Sequence, residues 1–192
     1  MDGILDIFSD SLTLATAPPG LTLVEIMGSE REALTELMAR LAVDVHFEVI
    51  PGGEWLPDQA NLRRALRMHT PAVNEGLARI HLMRPFTCLQ VVDLLAGAGG
   101  SGRLLLVLDF LHHFYNTDVD LALRLRVLEQ CSRHLRQIAR MRPVAVFLQY
   151  LPEQEYEDFL PYIARAADEV LRIEEILPPQ ASQPGLFEGF DG

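Results

Sequence analysis

Apolar and polar positions switch between two periods along the chain. Leu21–Ile26 (LTLVEI) reads as a strand, and Val45–Ile50 (VHFEVI) alternates as a second one. Between them the spacing predicts a helix over Glu30–Ala42, whose start is signalled by a capping box, Ser29 with Glu32. Asp58 is a fair N-cap for a helix through Met68. Ile80–Met83 is a short third strand, and Thr87 suits the cap of a helix from Cys88 to Ala96. Leu104–Leu108 is wholly apolar and ends on Asp109, the pattern of a strand buried on both faces. A long helix follows over Asp118–Met141, with Leu121, Leu125, Leu128, Leu135 and Ile138 on one side and Arg142-Pro143 as its stop. Val144–Leu148 reads as a central strand, Glu155–Ala166 as a helix and Glu169–Ile173 as an edge strand. Strands alternating with helices in this way predict the α/β class, with a mostly parallel central sheet and helices on both faces.

Residues 1–20 form a lead, in which Ile4–Phe8 is one helical turn or a docking strand and Ala17–Gly20 is a break. The core is expected over 21–176. Residues 177–192 are a tail too short to hold a core of its own. The 192 residues carry a net charge of −11, and all sixteen basic residues are arginine. Without lysine, a P-loop lysine, a Schiff base and a lysine general base are all excluded. The acidic balance argues against wide contact with a phosphate backbone. No apolar run reaches the roughly 18–20 residues of a membrane span. Met1–Phe8 has two acids and no basic residue, unlike a signal peptide. Cys88 and Cys131 form no metal or redox motif and read as buried, inert thiols, which fits a reducing cytosol. His112 and His113 are adjacent, and adjacent histidines seldom converge on one metal ion; both read as loop histidines, and no metal site is expected. Arg63, Arg64 and Arg67 form one basic helix face, and Arg133, Arg136 and Arg140 another, both expected to be solvated.

Four segments, in order, resemble the ATPase core of the RecA/RadA recombinases. Val49–Pro57 (VIPGGEWLP) resembles the stretch I-D-T-E-G-T-F-x-P, with Gly53, Trp55 and Pro57 on its glycine, aromatic and proline. Ile80–Thr87 (IHLMRPFT) resembles N-I-x-x-A-R-A-F-T. Leu105–Asp109 with Phe114, Tyr115, Arg124 and Arg126 resembles the Walker B strand and its sequel, and Val146–Gln149 falls on V-T-N-Q. The similarity spans about residues 21–173 and implies a RecA-like three-layer core.

The same resemblance shows what is missing. A working P-loop needs glycines that let backbone N–H groups wrap phosphate, and a lysine that neutralises it. The matching turn here, Gly28–Ala33 (GSEREA), is short, has one glycine, and sets Glu30 and Glu32 where a triphosphate would sit. The family's catalytic Glu aligns with Gly52. Gly28, Ser29, Thr35, Asp109 and Gln149 therefore remain as a vestigial nucleotide site, and no catalysis is expected. No cofactor is expected either, with ATP and Mg²⁺ the one pair the resemblance leaves room for. Trp55 stands where the family has an aromatic beside the nucleotide; core packing is its default, with plugging the emptied site or marking an interface as alternatives.

The two loops that carry DNA contacts in the family correspond to 112–118 and 150–158. The second holds four acids, which argues against direct DNA binding by the monomer. In the tail, Gln183, Leu186 and Phe187 resemble the bacterial sliding-clamp pentapeptide Q-x-x-L-F, in which Leu and Phe fill an apolar pocket; folding back onto the domain is the alternative. The expected role is a non-catalytic, cytoplasmic accessory factor in recombination, repair or replication. It would work by contact with a recombinase, a polymerase accessory protein or the clamp, as a homo- or heterodimer where it pairs. Two alternatives belong to other classes: an ATP-binding switch completed by a partner, and a SulA-type inhibitor of cell division.

Overall fold

The computed structural model describes residues 11–27, 31–53, 55, 58–98, 103–115, 118–150 and 159–173. Six strands make one sheet: β1 (Gly20–Met27), β2 (Phe47–Pro51), β3 (Ile80–Leu82), β4 (Leu104–Leu108), β5 (Pro143–Tyr150) and β6 (Glu169–Ile173), in the order β3-β2-β4-β5-β1-β6. Every pairing is parallel, so "mostly parallel" understates the sheet. The helices are α1 (Ser11–Thr16), α2 (Arg31–Asp44), α3 (Gln59–His69), α4 (Val73–Ala78), α5 (Cys88–Gly97), α6 (Leu121–Ala139) and α7 (Leu160–Ala164), with a 3₁₀ turn over Phe110–Phe114.

Strand side chains alternate between the two faces, because successive residues of a strand point to opposite sides. Leu105, Val107, Val144 and Val146 join the core under α5, α6 and α7, while Leu104, Leu106, Ala145 and Phe147 join the core under α2 and α3. Both cores are closed, which is why β4 reads as an unbroken apolar run. Leu14 of α1, inside the expected lead, is buried in the α2–α3 core.

Local signals set the boundaries. Asp58 caps α3 through Ala60 N, and Thr87 caps α5 through Gln90 N, both as expected. The long helix is shorter at both ends than its apolar pattern suggests; at its start Asp120 takes the Ala122 and Leu123 amides, so the helix begins at Leu121, three residues after Asp118. The second strand starts at Phe47, since Val45 N still donates to Leu41 O at the end of α2. Helix α4 has no signature in the sequence; Gly76 lets it close on α3, where a Cβ would meet Leu66 Cδ2 at 2.9 Å. The Ser29 capping box, Ile4–Phe8, residues 151–158 and the tail lie outside the described residues.

Arg142, expected only as a helix stop, is among the most deeply buried residues of the chain at 2% exposure. Its guanidinium pairs with Glu48 of β2 at 2.7 Å and donates to Arg103 O at 2.8 Å and Ala98 O at 2.6 Å. A rigid fork of donors suits this role. It ties β2, the start of β4 and the end of α5 together at the N-terminal ends of the strands.

Candidate functional site

The chain leaves β1 and β2 for one face of the sheet and β4 and β5 for the other. Neighbouring strands β1/β5 and β2/β4 therefore send their connections apart, and a crevice opens at their C-terminal ends, where α/β sheets hold ligands. Asp109, Gln149, Gly52, Trp55 and Arg31 all stand at this end.

Asp109 follows β4 in the left-handed region (φ 47°, ψ 51°), among the described residues the one non-glycine with positive φ. Aspartate tolerates that region better than most residues. The turn brings its backbone against the β2 loop. Gly52 N donates to Leu108 O at 2.6 Å, and a Cβ on residue 52 would lie 2.1 Å from Asp109 O. Gly52 is thus required by backbone contact. A side chain there needs the two loops to part.

Asp109 as a residue is 6% exposed, and its Oδ1 has no hydrogen-bond partner among the described residues. Oδ2 is 3.7 Å from His112 Nδ1. Burial favours the neutral acid and pushes its pKa up to about 6, against the opposing pull of His112 and Arg31. The His112 ring lies over Gly53, whose φ of +54° suits glycine, and a Cβ there would meet His112 Nδ1 at 2.7 Å. His113 is buried, with Nε2 3.2 Å from Pro51 O. A carbonyl accepts only, so Nε2 carries the proton; burial lowers the pKa and keeps the ring neutral. Both histidines are thus tied to the β2 loop.

Gln149 of β5 accepts a hydrogen bond from the Trp55 indole N–H, Oε1 to Nε1 2.6 Å, in a buried setting. Trp55 is 5% exposed and belongs to the α2–α3 core. It therefore packs as core and also engages Gln149. Nothing in the spacing of the sequence forecasts that bond, since the two residues lie 94 positions apart. Thr35 sits in the second turn of α2 and its hydroxyl donates to Arg31 O at 2.8 Å, a local back-bond. Of the five residues assigned to the vestigial site, Thr35, Asp109 and Gln149 are placed this way, and Gly28 and Ser29 fall outside the described residues. Gln183, Leu186 and Phe187 do so as well.

Two clefts flank this end. One, of about 550 Å³, runs between α2 and α3 and is lined by Arg31, Leu34, Met38, Trp55, Arg64 and Met68 among others. The other, of about 440 Å³, lies between the β2 loop, Arg84–Cys88 and the two histidines, with Arg84 over the Phe86 ring at 5.6 Å. Arg64 of the first basic face thus borders a cleft, while Arg63 donates to Asn74 Oδ1 at 3.2 Å. Cys88 and Cys131 are buried, and burial raises both thiol pKa values, so neither is primed as a nucleophile. Among the described residues no group of three or more His, Cys, Asp or Glu is placed to hold a metal ion, and no helix is long and apolar enough to cross a membrane.

No family model matches the chain, and no curated protein is significantly similar to it.

Proposed function

We propose that this chain is a non-catalytic RecA/RadA-like protein of the cytosol that acts through protein–protein contacts in DNA recombination, repair or replication. Its tail residues Gln183, Leu186 and Phe187 would engage a sliding clamp. The observation that carries the non-catalytic part is Gly52. A water-activating carboxylate at that position has no room while Asp109 O stands 2.1 Å from where its Cβ would be. The Trp55–Gln149 bond supports it, because an amide already satisfied by an indole is costly to redirect to a phosphate. Capture of purified sliding clamp by the full chain, beside the Leu186→Ala/Phe187→Ala double variant, tests the contact. Loss of capture in the variant is expected; equal capture by both would end the clamp assignment.

One observation favours a second role, the partner-completed ATP switch. The Asp109 carboxyl is buried with Oδ1 unpartnered among the described residues, at the strand end where the recombinases keep their Walker B acid. Isothermal titration with ATP and Mg²⁺, with and without the captured partner, separates the two: micromolar affinity appearing only with partner present supports the switch.

A further inference from the structure

The cleft beside the β2 loop differs in kind from the one between α2 and α3. Its lining combines Arg84, Thr87, His112 and His113 with the apolar Phe86 and Val119, and no acid stands among the described residues that line it. In a chain of 27 acids and sixteen arginines, such a cleft is a place where an anion sits without repulsion from its walls. Arg84 makes no ion pair among the described residues and lies over the Phe86 ring at 5.6 Å, a contact that leaves the edges of the guanidinium free to donate. Thr87 begins α5, a helix of 10 residues, so the positive end of the helix dipole faces the same space. The Thr87 hydroxyl accepts from Gln90 N at 3.3 Å, which leaves its own proton to donate. These groups alone describe an anion site of no particular selectivity; His113 adds the selectivity. It is 9% exposed, and its Nε2–H is engaged by Pro51 O at 3.2 Å, so Nδ1 is a bare lone pair. Nδ1 has no partner among the described residues, yet it is not sealed away as Asp109 Oδ1 is. Burial lowers the pKa of the ring, so the lone pair persists instead of taking a proton. His112 also lines the cleft, but its Nδ1 is turned to Asp109 Oδ2 at 3.7 Å, so the acceptor role falls to His113. One acceptor in a cleft otherwise lined by donors suits an anion that still carries a proton.

We propose that this cleft binds hydrogen phosphate, free or as the head of a small phosphomonoester, with Arg84, the Thr87 hydroxyl and the start of α5 donating to its oxygens and His113 Nδ1 accepting from its P–OH. Phe86, 72% exposed, and Val119 offer apolar surface to the organic part of an ester. The site is separate from the vestigial nucleotide position, since none of Thr35, Asp109 and Gln149 lines it. It is also independent of the clamp assignment.

Sulfate has nearly the size and charge of hydrogen phosphate but no proton at neutral pH, so comparing the two ions isolates the part played by His113. The full chain is titrated with sodium phosphate and with sodium sulfate at neutral pH and matched ionic strength, following the amide resonances of Thr87 and Leu89 and the imidazole nitrogens of His113. Saturable binding of phosphate is expected, with sulfate about tenfold weaker. Arg84→Ala is expected to weaken both ions by a similar factor. His113→Gln keeps an amide N–H for Pro51 O and loses the lone pair, so it should bring phosphate down to the sulfate level and leave sulfate unchanged. Phenyl phosphate, titrated at a pH where it keeps one P–OH, separates the two sources: tighter binding than inorganic phosphate assigns the site to esters, and weaker binding assigns it to the free ion. Phosphate shifts that do not saturate, or equal affinity for phosphate and sulfate in the wild type, overturn the proposal. That wild-type comparison decides the matter even where a variant fails to fold.

Discussion

Two buried charged groups sit at opposite ends of the same sheet, and they are treated in opposite ways. At the N-terminal ends of the strands, Arg142 is paired with Glu48 and donates to two backbone carbonyls. At the C-terminal ends, Asp109 is also buried but keeps Oδ1 unpartnered among the described residues and sits in a left-handed turn. A buried ion held by partners fixes the geometry of the elements that supply them. A buried acid without full satisfaction costs stability and marks the end of the sheet where ligands bind in this class of fold. The first end joins three elements through one guanidinium, with Glu48 Oε2 held by ion pairing rather than by an aligned hydrogen bond, and the second holds its acid in a left-handed turn with Oδ1 unpartnered among the described residues.

The contrast can be broken most forcefully at Arg142. Arg142→Ala strands Glu48 and two carbonyls, and a loss of roughly 3–5 kcal/mol is expected in urea denaturation; a change under about 1 kcal/mol would mean the pair is not the pin. Asp109→Asn is expected to act in the other direction. Its folded-state pKa is raised, so the neutral acid's stability is full below about pH 4 and is lost as pH rises through about 6. The asparagine variant should therefore be more stable than wild type at pH 7–8, by up to roughly 3 kcal/mol, with the gap closing towards pH 4. Asparagine also tolerates the left-handed turn, so the comparison isolates the charge. Denaturation midpoints across that pH range check it; a gap that is flat with pH would assign the effect elsewhere. Gly52→Ala forces a Cβ against Asp109 O and should cost roughly 1–3 kcal/mol, read by thermal unfolding. Trp55→Phe removes one buried hydrogen bond to Gln149 and should cost about 1 kcal/mol; a smaller change than Gly52→Ala is expected in the same assay.

The alternation of strands and helices made the α/β class legible, because two closed core faces demand apolar runs such as Leu104–Leu108. The caps at Asp58 and Thr87 were legible for a local reason: side chain and amide lie within a few residues. Arg142 was not, since a charged residue before proline looks like a helix stop until Glu48, Ala98 and Arg103 are brought around it by the sheet order. Gly52 was not legible as a required glycine, because its contact is with Asp109, far along the chain. The Trp55–Gln149 bond was hidden in the same way. Local chemistry is written in order along the chain, whereas satisfaction of buried groups depends on which strands become neighbours.

The most direct test of the proposed inability to hold a nucleotide is to titrate the full chain with a non-hydrolysable ATP analogue and Mg²⁺ while following the Trp55 indole N–H resonance. The bond to Gln149 predicts a resonance that stays in place up to millimolar ligand. A saturable shift at micromolar ligand would show that the indole yields its place, and would contradict the account.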